Sequence, residues 1–127
     1  EERGVLWFAE WWGSQPIIAS QAAIEPALRA PMRRNRRAHT ALGLANSLRY
    51  MGSGTMPSLW EKLGMLSFPT LLLTGENDIV YNQLAQSMLG ALPDGKHVRL
   101  VGVGHCAHLE AIDLFAKAVD QFFAEQS

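Results

Sequence analysis

A single cysteine, Cys106, rules out an internal disulfide and a cysteine-rich metal site, and it fits a reducing compartment such as the cytoplasm. No apolar run approaches the roughly 20 residues that a membrane-spanning helix needs. Neither sign of charge predominates. Eleven Lys and Arg oppose 12 Asp and Glu, and a net charge of −1 argues against general binding to nucleic acid or anionic membranes. The sequence shows no internal repeat and no low-complexity segment. What is present is 127 residues, 48% hydrophobic and 18% charged, which is the make-up of an ordinary folded chain large enough for one small domain. The opening residues, "EERGVLWFAEWW", read as the inside of a helix and include no starting methionine or signal peptide. They predict that the chain is a piece of a longer one.

The organisation changes near residue 68. Before it, apolar residues recur at helical spacing: Val5, Phe8 and Trp12, then Leu42, Ala45 and Leu48, then Leu59 and Leu63. Pro16, Pro26, Pro31 and Pro57 divide this part into short helices and turns. Beyond it, "FPTLLLTG" (Phe68–Gly75) reads as a buried strand and "NQLAQSMLGALPDG" as a helix. "HVRLVGVG" (His97–Gly104) reads as a second strand. "AHLEAIDLFAKAVDQFFAEQ" reads as one long helix with Leu109, Ile112, Phe115, Ala116, Val119 and Phe122 on its apolar face. The expected division is a helical segment, 1–66, and a β-α-β-α segment, 67–127. Strand, helix, strand and helix with apolar strands is the pattern of a parallel α/β sheet. Two such strands leave faces and edges uncovered, so further strands are expected upstream of Glu1.

Open parallel sheets place their chemistry just past the carboxyl ends of the strands. Two residues fall there: Asp78 in "TGENDIVY" and His105 in "VGVGHCAHLE". A carboxylate on one imidazole nitrogen fixes the tautomer, so the other nitrogen can take a proton from a hydroxyl. The bland alternatives are a helix cap for Asp78 and backbone satisfaction for His105. Occurring together, in this order, they favour a working pair.

These residues resemble a family. "PTLLLTGENDIVY" followed by "LVGVGHCAHLE" looks like the last two strands of an α/β-hydrolase fold, whose triad runs in chain order Ser, Asp, His. "FAEWWGSQPIIASQ" and "MRRNRRAHTALGLANSLRYMGSGTMPSLWEKL" are similar to the cap and linker of the 2-succinyl-6-hydroxy-2,4-cyclohexadiene-1-carboxylate synthases of menaquinone and phylloquinone synthesis. "SLRYMGSGTMPSLW" is the most specific part. The resemblance covers nearly the whole chain but only the carboxyl-terminal half of that family's domain. It implies a lyase that eliminates pyruvate from a substrate bearing several carboxylates, with no metal or organic cofactor. In that reading Asp78 orients His105, which activates a serine. Arg33 in "MRRNR" meets a substrate carboxylate, and Trp11 or Trp12 lines the cap side of the site. A planar guanidinium pairs with a carboxylate through two parallel hydrogen bonds, which suits Arg33 to that part.

Three departures stand out. Val80 and Tyr81 replace the family's lysine and phenylalanine, and Met56 replaces a glutamine before Pro57. The third is larger: the chain has no G-x-S-x-G turn to present a nucleophile. Ser53 in "MGSGT" lacks a preceding strand and reads as a turn. The serine is therefore expected on a missing amino-terminal half, and this chain alone is expected to be inactive. Cys106 reads as a small buried residue, and His108 as structural rather than a metal ligand. His39 and His97 carry no pattern. Two rivals remain. One is another α/β-hydrolase, an esterase or carbon–carbon bond hydrolase, with no need of Arg33. The other is a non-catalytic binding module built on "RRNRR" (Arg33–Arg37), which no aromatic residue interleaves.

Overall fold

A computed structural model describes residues 3–126. The first part is helical, as its spacing predicts. Helices α1 (Gly4–Gly13), α2 (Pro16–Ala19), α3 (Pro26–Arg37) and α4 (Ala41–Met51) are joined by short turns, with 3-10 turns at Ser20–Ala23 and Trp60–Met65. Pro16 and Pro26 each open a helix, where a missing N–H is no loss. Thr40 caps α4 by accepting the Gly43 N–H at 3.0 Å. Ile18 and Ile24 are buried at the centre of this part, Ile24 with only 1% of its surface exposed. Val5 and Phe8 of α1 line a small groove with Leu44, Ala45 and Leu48 of α4. Leu42 and Leu48 were expected inward, yet both are 63% exposed, and half-buried Leu44 turns in instead of Leu42. Leu59 and Trp12 are likewise exposed.

The second part is β1 (Thr70–Gly75), α5 (Ile79–Leu89), β2 (Gly95–Leu100), α6 (Ala107–Glu110) and α7 (Ile112–Ala124). The strands pair in parallel, from Thr70 opposite Gly95 to Gly75 opposite Leu100. Several boundaries differ from the sequence reading; β1 starts at Thr70 rather than Phe68, and α5 ends at Leu89, ahead of Pro93. Helix α5 starts at Ile79, ahead of Asn82, because Asp78 caps it. Strand β2 runs over Gly95–Leu100 rather than His97–Gly104. Its apolar end is a turn at Gly102, where φ of +74° suits a residue without Cβ. The long carboxyl-terminal helix is broken at Ala111, with φ −148° and ψ 69°.

Of the expected apolar face, Leu109, Phe115, Val119 and Phe122 turn inward, whereas Ile112 and Ala116 point to solvent. Ala111, Phe115 and Ala118 pack with Leu73 and Val98 against the buried Leu100, Val103 and Ala107. Lys96 of β2 pairs with Glu125 just past α7. Among the described residues no helix is long and apolar enough to cross a membrane.

Candidate active site

The loops after β1 and β2 lie against each other. Glu76 N–H donates to Leu100 O and Asn77 N–H to Val103 O, each at 2.9 Å, which extends the strand pairing into the loops. Gly75 allows this approach, since a Cβ there would stand 2.1 Å from Gly104 O and 2.3 Å from Val103 O. Gly102 N–H is held by Glu76 Oε2 at 2.9 Å.

This packing brings Asp78 and His105 together. His105 Nδ1 donates to Asp78 Oδ2 at 2.6 Å, and the aspartate is buried, with 7% of its surface exposed. The other oxygen, Oδ1, accepts the Tyr81 N–H at 3.1 Å. Asp78 is thus a helix cap and a histidine partner at once. The Tyr81 ring leans on the imidazole at 4.7 Å between centroids. With Nδ1 committed to the carboxylate, Nε2 is the nitrogen left to accept a proton.

A cleft of about 470 Å³ adjoins the pair, lined by Trp11, Trp12, Gln15, Asn77, Asp78 and His105 among others. Trp11 and Trp12 are 45% and 39% exposed and sit in an aromatic cluster with Trp7 and Phe8. Arg33 is not brought to this cleft. It is exposed and lines a separate one of about 370 Å³, together with Glu10, Arg29, Arg36 and Arg37. Of the arginines in "RRNRR", Arg36 is half-buried and donates to Gln21 Oε1 at 3.0 Å. Burial, and next the Glu110 carboxylate, push the Cys106 thiol up from its ordinary value, while Arg36 acts against them. Cys106 is buried, as expected of a small apolar residue. His108 is exposed and meets Phe115 edge-on. Ser53 lies exposed in the turn after α4. Among the described residues no group of three or more His, Cys, Asp or Glu could hold a metal ion.

Two residues escaped the sequence reading. Asn82 donates from Nδ2 to Gly75 O at 2.9 Å and to Asp78 O at 2.7 Å, fastening the aspartate's loop. It ends a chain of hydrogen bonds. Gln86 Nε2 donates to His97 Nδ1 at 2.9 Å, so His97 Nε2–H donates to Thr74 Oγ1 at 2.7 Å, and Thr74 donates to Asn82 Oδ1 at 2.7 Å. Burial, and then Arg99, hold the His97 pKa below its ordinary value, in keeping with the neutral ring this chain requires. Glu110 is the second. Its carboxylate accepts N–H groups on either side of His105, a role signalled only by an acidic residue in the first turn of α6.

A parallel β-α-β unit with an Asp–His pair at the strand ends, under a helical segment, is a partial α/β-hydrolase fold. Known structures agree. MenH from S. aureus superposes with a TM-score of 0.88 at 30% identity, over 95% of this chain and 46% of that one. Proline iminopeptidase of Mycobacterium smegmatis shares the fold, with a TM-score of 0.53 over 93% of this chain and 44% of that one, at 24% identity.

In sequence the homologues are 2-succinyl-6-hydroxy-2,4-cyclohexadiene-1-carboxylate synthases. A Bacillus subtilis (strain 168) protein provisionally assigned that name is 34% identical over 119 residues, covering 94% of this chain and 43% of its own length. The synthase of Photorhabdus laumondii subsp. laumondii is 33% identical over 113 residues, covering 89% of this chain and 38% of its own length. The chain therefore spans less than half of the curated relatives it matches. No protein-family model matches it.

Proposed function

We propose that this chain supplies the Asp–His half of the active site of a menaquinone-pathway lyase. That enzyme would eliminate pyruvate from 2-succinyl-5-enolpyruvyl-6-hydroxy-3-cyclohexene-1-carboxylate. The observation that carries the reading is the 2.6 Å bond from His105 Nδ1 to buried Asp78, beside a cleft walled by Trp11 and Trp12. In this reading Nε2 takes the proton of a serine hydroxyl, and the Asp78 carboxylate stabilises the imidazolium that forms. The serine alkoxide then removes a substrate C–H proton; that electron pair forms a ring C=C bond and breaks the C–O bond. The enolpyruvyl group thus leaves as the enolate of pyruvate, which becomes pyruvate on taking up the proton held by the imidazolium. No metal or organic cofactor takes part, and the activity is placed in the cytoplasm.

Residues 1–66 act as the cap and 67–127 as the carboxyl-terminal part of the core. The serine comes from further strands that also cover β1, whose Leu71, Leu72 and Leu73 are only half-buried. Carboxylate pairing falls to the α3 arginines. Arg33 is the residue the family resemblance picks, and half-buried Arg36 lines the same cleft.

The test is pyruvate release by the protein encoded by the whole reading frame around this sequence, with the 127-residue chain assayed beside it. The reading expects turnover by the whole protein and none by the chain alone. A frame with no strand–turn–helix serine, or release of pyruvate by the chain alone, would overturn it.

A further inference from the structure

The backbone around His105 is held in an unusual way. Three successive N–H groups, those of Gly104, His105 and Cys106, all end on two side chains. Gly104 N–H donates to Glu110 Oε2 at 2.7 Å and Cys106 N–H to Glu110 Oε1 at 3.0 Å. His105 N–H donates to Ser20 Oγ at 3.3 Å, and Ser20 Oγ–H donates to Glu110 Oε1 at 2.9 Å. Ser20 belongs to the 3-10 turn of the helical first part, whereas Glu110 closes α6. Gly104 is the residue that lets them meet. A Cβ there would stand 2.3 Å from Ser20 Cβ and 2.9 Å from Glu110 Oε2.

We infer that Glu110 and Ser20 are positioning residues for His105: a latch that sets the height and tilt of the imidazole and ties it to the helical segment. The physical argument is one of constraint. The Asp78 contact fixes one nitrogen, yet leaves the ring free to pivot with its loop. Bonds to the N–H groups before, at and after His105 remove that freedom, and bonds from N–H to a carboxylate are roughly twice as strong as neutral ones. Because Ser20 sits between His105 and Glu110, a displacement of the Ser20–Ala23 turn would be felt at the imidazole. The latch thereby makes the placement of the proton acceptor depend on the placement of the cap. Its importance for catalysis rests on the function proposed above; its existence does not.

The test uses the whole protein and two substitutions, Glu110→Gln and Ser20→Ala, with His108→Ala as a control in the same short helix. Amide hydrogen exchange and the imidazole nitrogen resonances are followed by NMR. Glu110→Gln should speed exchange at Gly104 and Cys106 by at least about tenfold relative to the strand amides, since it removes a charged acceptor. Ser20→Ala should act chiefly at His105, and Ser20→Thr, which keeps the hydroxyl, should restore protection. Both damaging variants should shift the His105 ring resonances without reversing its tautomer.

If the protein turns over substrate, Glu110→Gln should lower kcat with KM nearly unchanged, because Glu110 does not line the cleft. Uniformly faster exchange across β1 and β2, or unchanged His105 resonances in both variants, would refute the latch. A protein inactive before substitution refutes the proposed function instead, and the exchange pattern still decides the latch.

Discussion

Replacing Asp78 by Asn is the sharpest single perturbation of this site, because it separates two tasks of one carboxylate. The side-chain oxygen of Asn can still accept the Tyr81 N–H, and Asn caps helices about as well as Asp. The other position changes sign. Where Oδ2 accepts from His105 Nδ1, the amide would donate, and the ring must give up its Nδ1 proton and carry it on Nε2. That nitrogen then has no lone pair for a serine proton. Loss of the correct tautomer in a Ser-His-Asp site lowers kcat roughly 10⁴-fold, equivalent to about 5 kcal/mol of transition-state stabilisation. Stability should move by less than about 1 kcal/mol, since both hydrogen bonds of the buried side chain are kept in altered form.

Asp78→Ala behaves differently. It removes the cap, worth about 1 kcal/mol, and leaves the His105 and Tyr81 N–H groups without acceptors, so unfolding should become easier by roughly 2–4 kcal/mol. The assays are pyruvate release and urea unfolding of the whole protein, with nitrogen NMR of the imidazole to read the tautomer. An Asp78→Asn protein within about tenfold of parental turnover, or one whose His105 still carries its proton on Nδ1, would refute the reasoning.

Gly104→Ala should lower unfolding stability by about 1–3 kcal/mol through overpacking against Ser20, read as a shift in urea midpoint; no shift would mean that the loop yields freely. The His97 pKa is lower in the folded protein than its ordinary 6.5, so the unfolded chain binds more protons between the two values. Stability from that group should be full above pH 6.5 and fall as the pH drops through the folded value; a His97→Gln protein should lose this slope, and an equal slope in both would sink the assignment. Arg33→Ala and Arg36→Ala, compared by KM, decide which arginine meets substrate, with a loss of roughly 1.5–3 kcal/mol expected for the one that does. If neither changes KM, the polycarboxylate reading fails and an esterase-like reaction gains. The 127-residue chain expressed alone should aggregate through the open edges of its two-stranded sheet; a soluble, cooperatively unfolding monomer would contradict the need for further strands.

Much of the fold was legible because its signals are local. "PTLLLTG" and "AKAVDQFF" carry their periods within a few residues, and prolines announce the first two helix starts that they occupy. The errors fall where tertiary contacts overrule the pattern. Val101 and Val103 look like continued strand, yet the β2 loop must turn at Gly102 to lie against Gly75. The run from Ala107 to Phe123 looks like one helix. Ala111, however, leaves helical geometry, and beside the expected Phe115 it is Ala118, not Ile112 or Ala116, that packs toward Leu100. Hydrophobic spacing cannot register a one-residue break, because both halves remain apolar on some face.

The site divides in the same way. The contact between Asp78 and His105 was readable because both follow strand ends of a parallel sheet, and two such ends open on one side. The cap reading and the functional reading of Asp78 were posed as alternatives, but a carboxylate has two oxygens and the structure uses one for each. Capping α5 and holding His105 are therefore one requirement: the helix start aims the side chain that the imidazole needs. Glu110 and Asn82 were missed because their work is done on backbone groups, which have no letter in the sequence. Arg33 illustrates the converse. Its letter stood in a recognisable motif, but which cleft an arginine of "RRNRR" reaches depends on the rotation and placement of α3; Arg33 and Arg36 both line the cleft beside α1, and neither lines that of His105. A motif therefore fixes the kind of group available, while the helix that carries it fixes which cleft that group reaches.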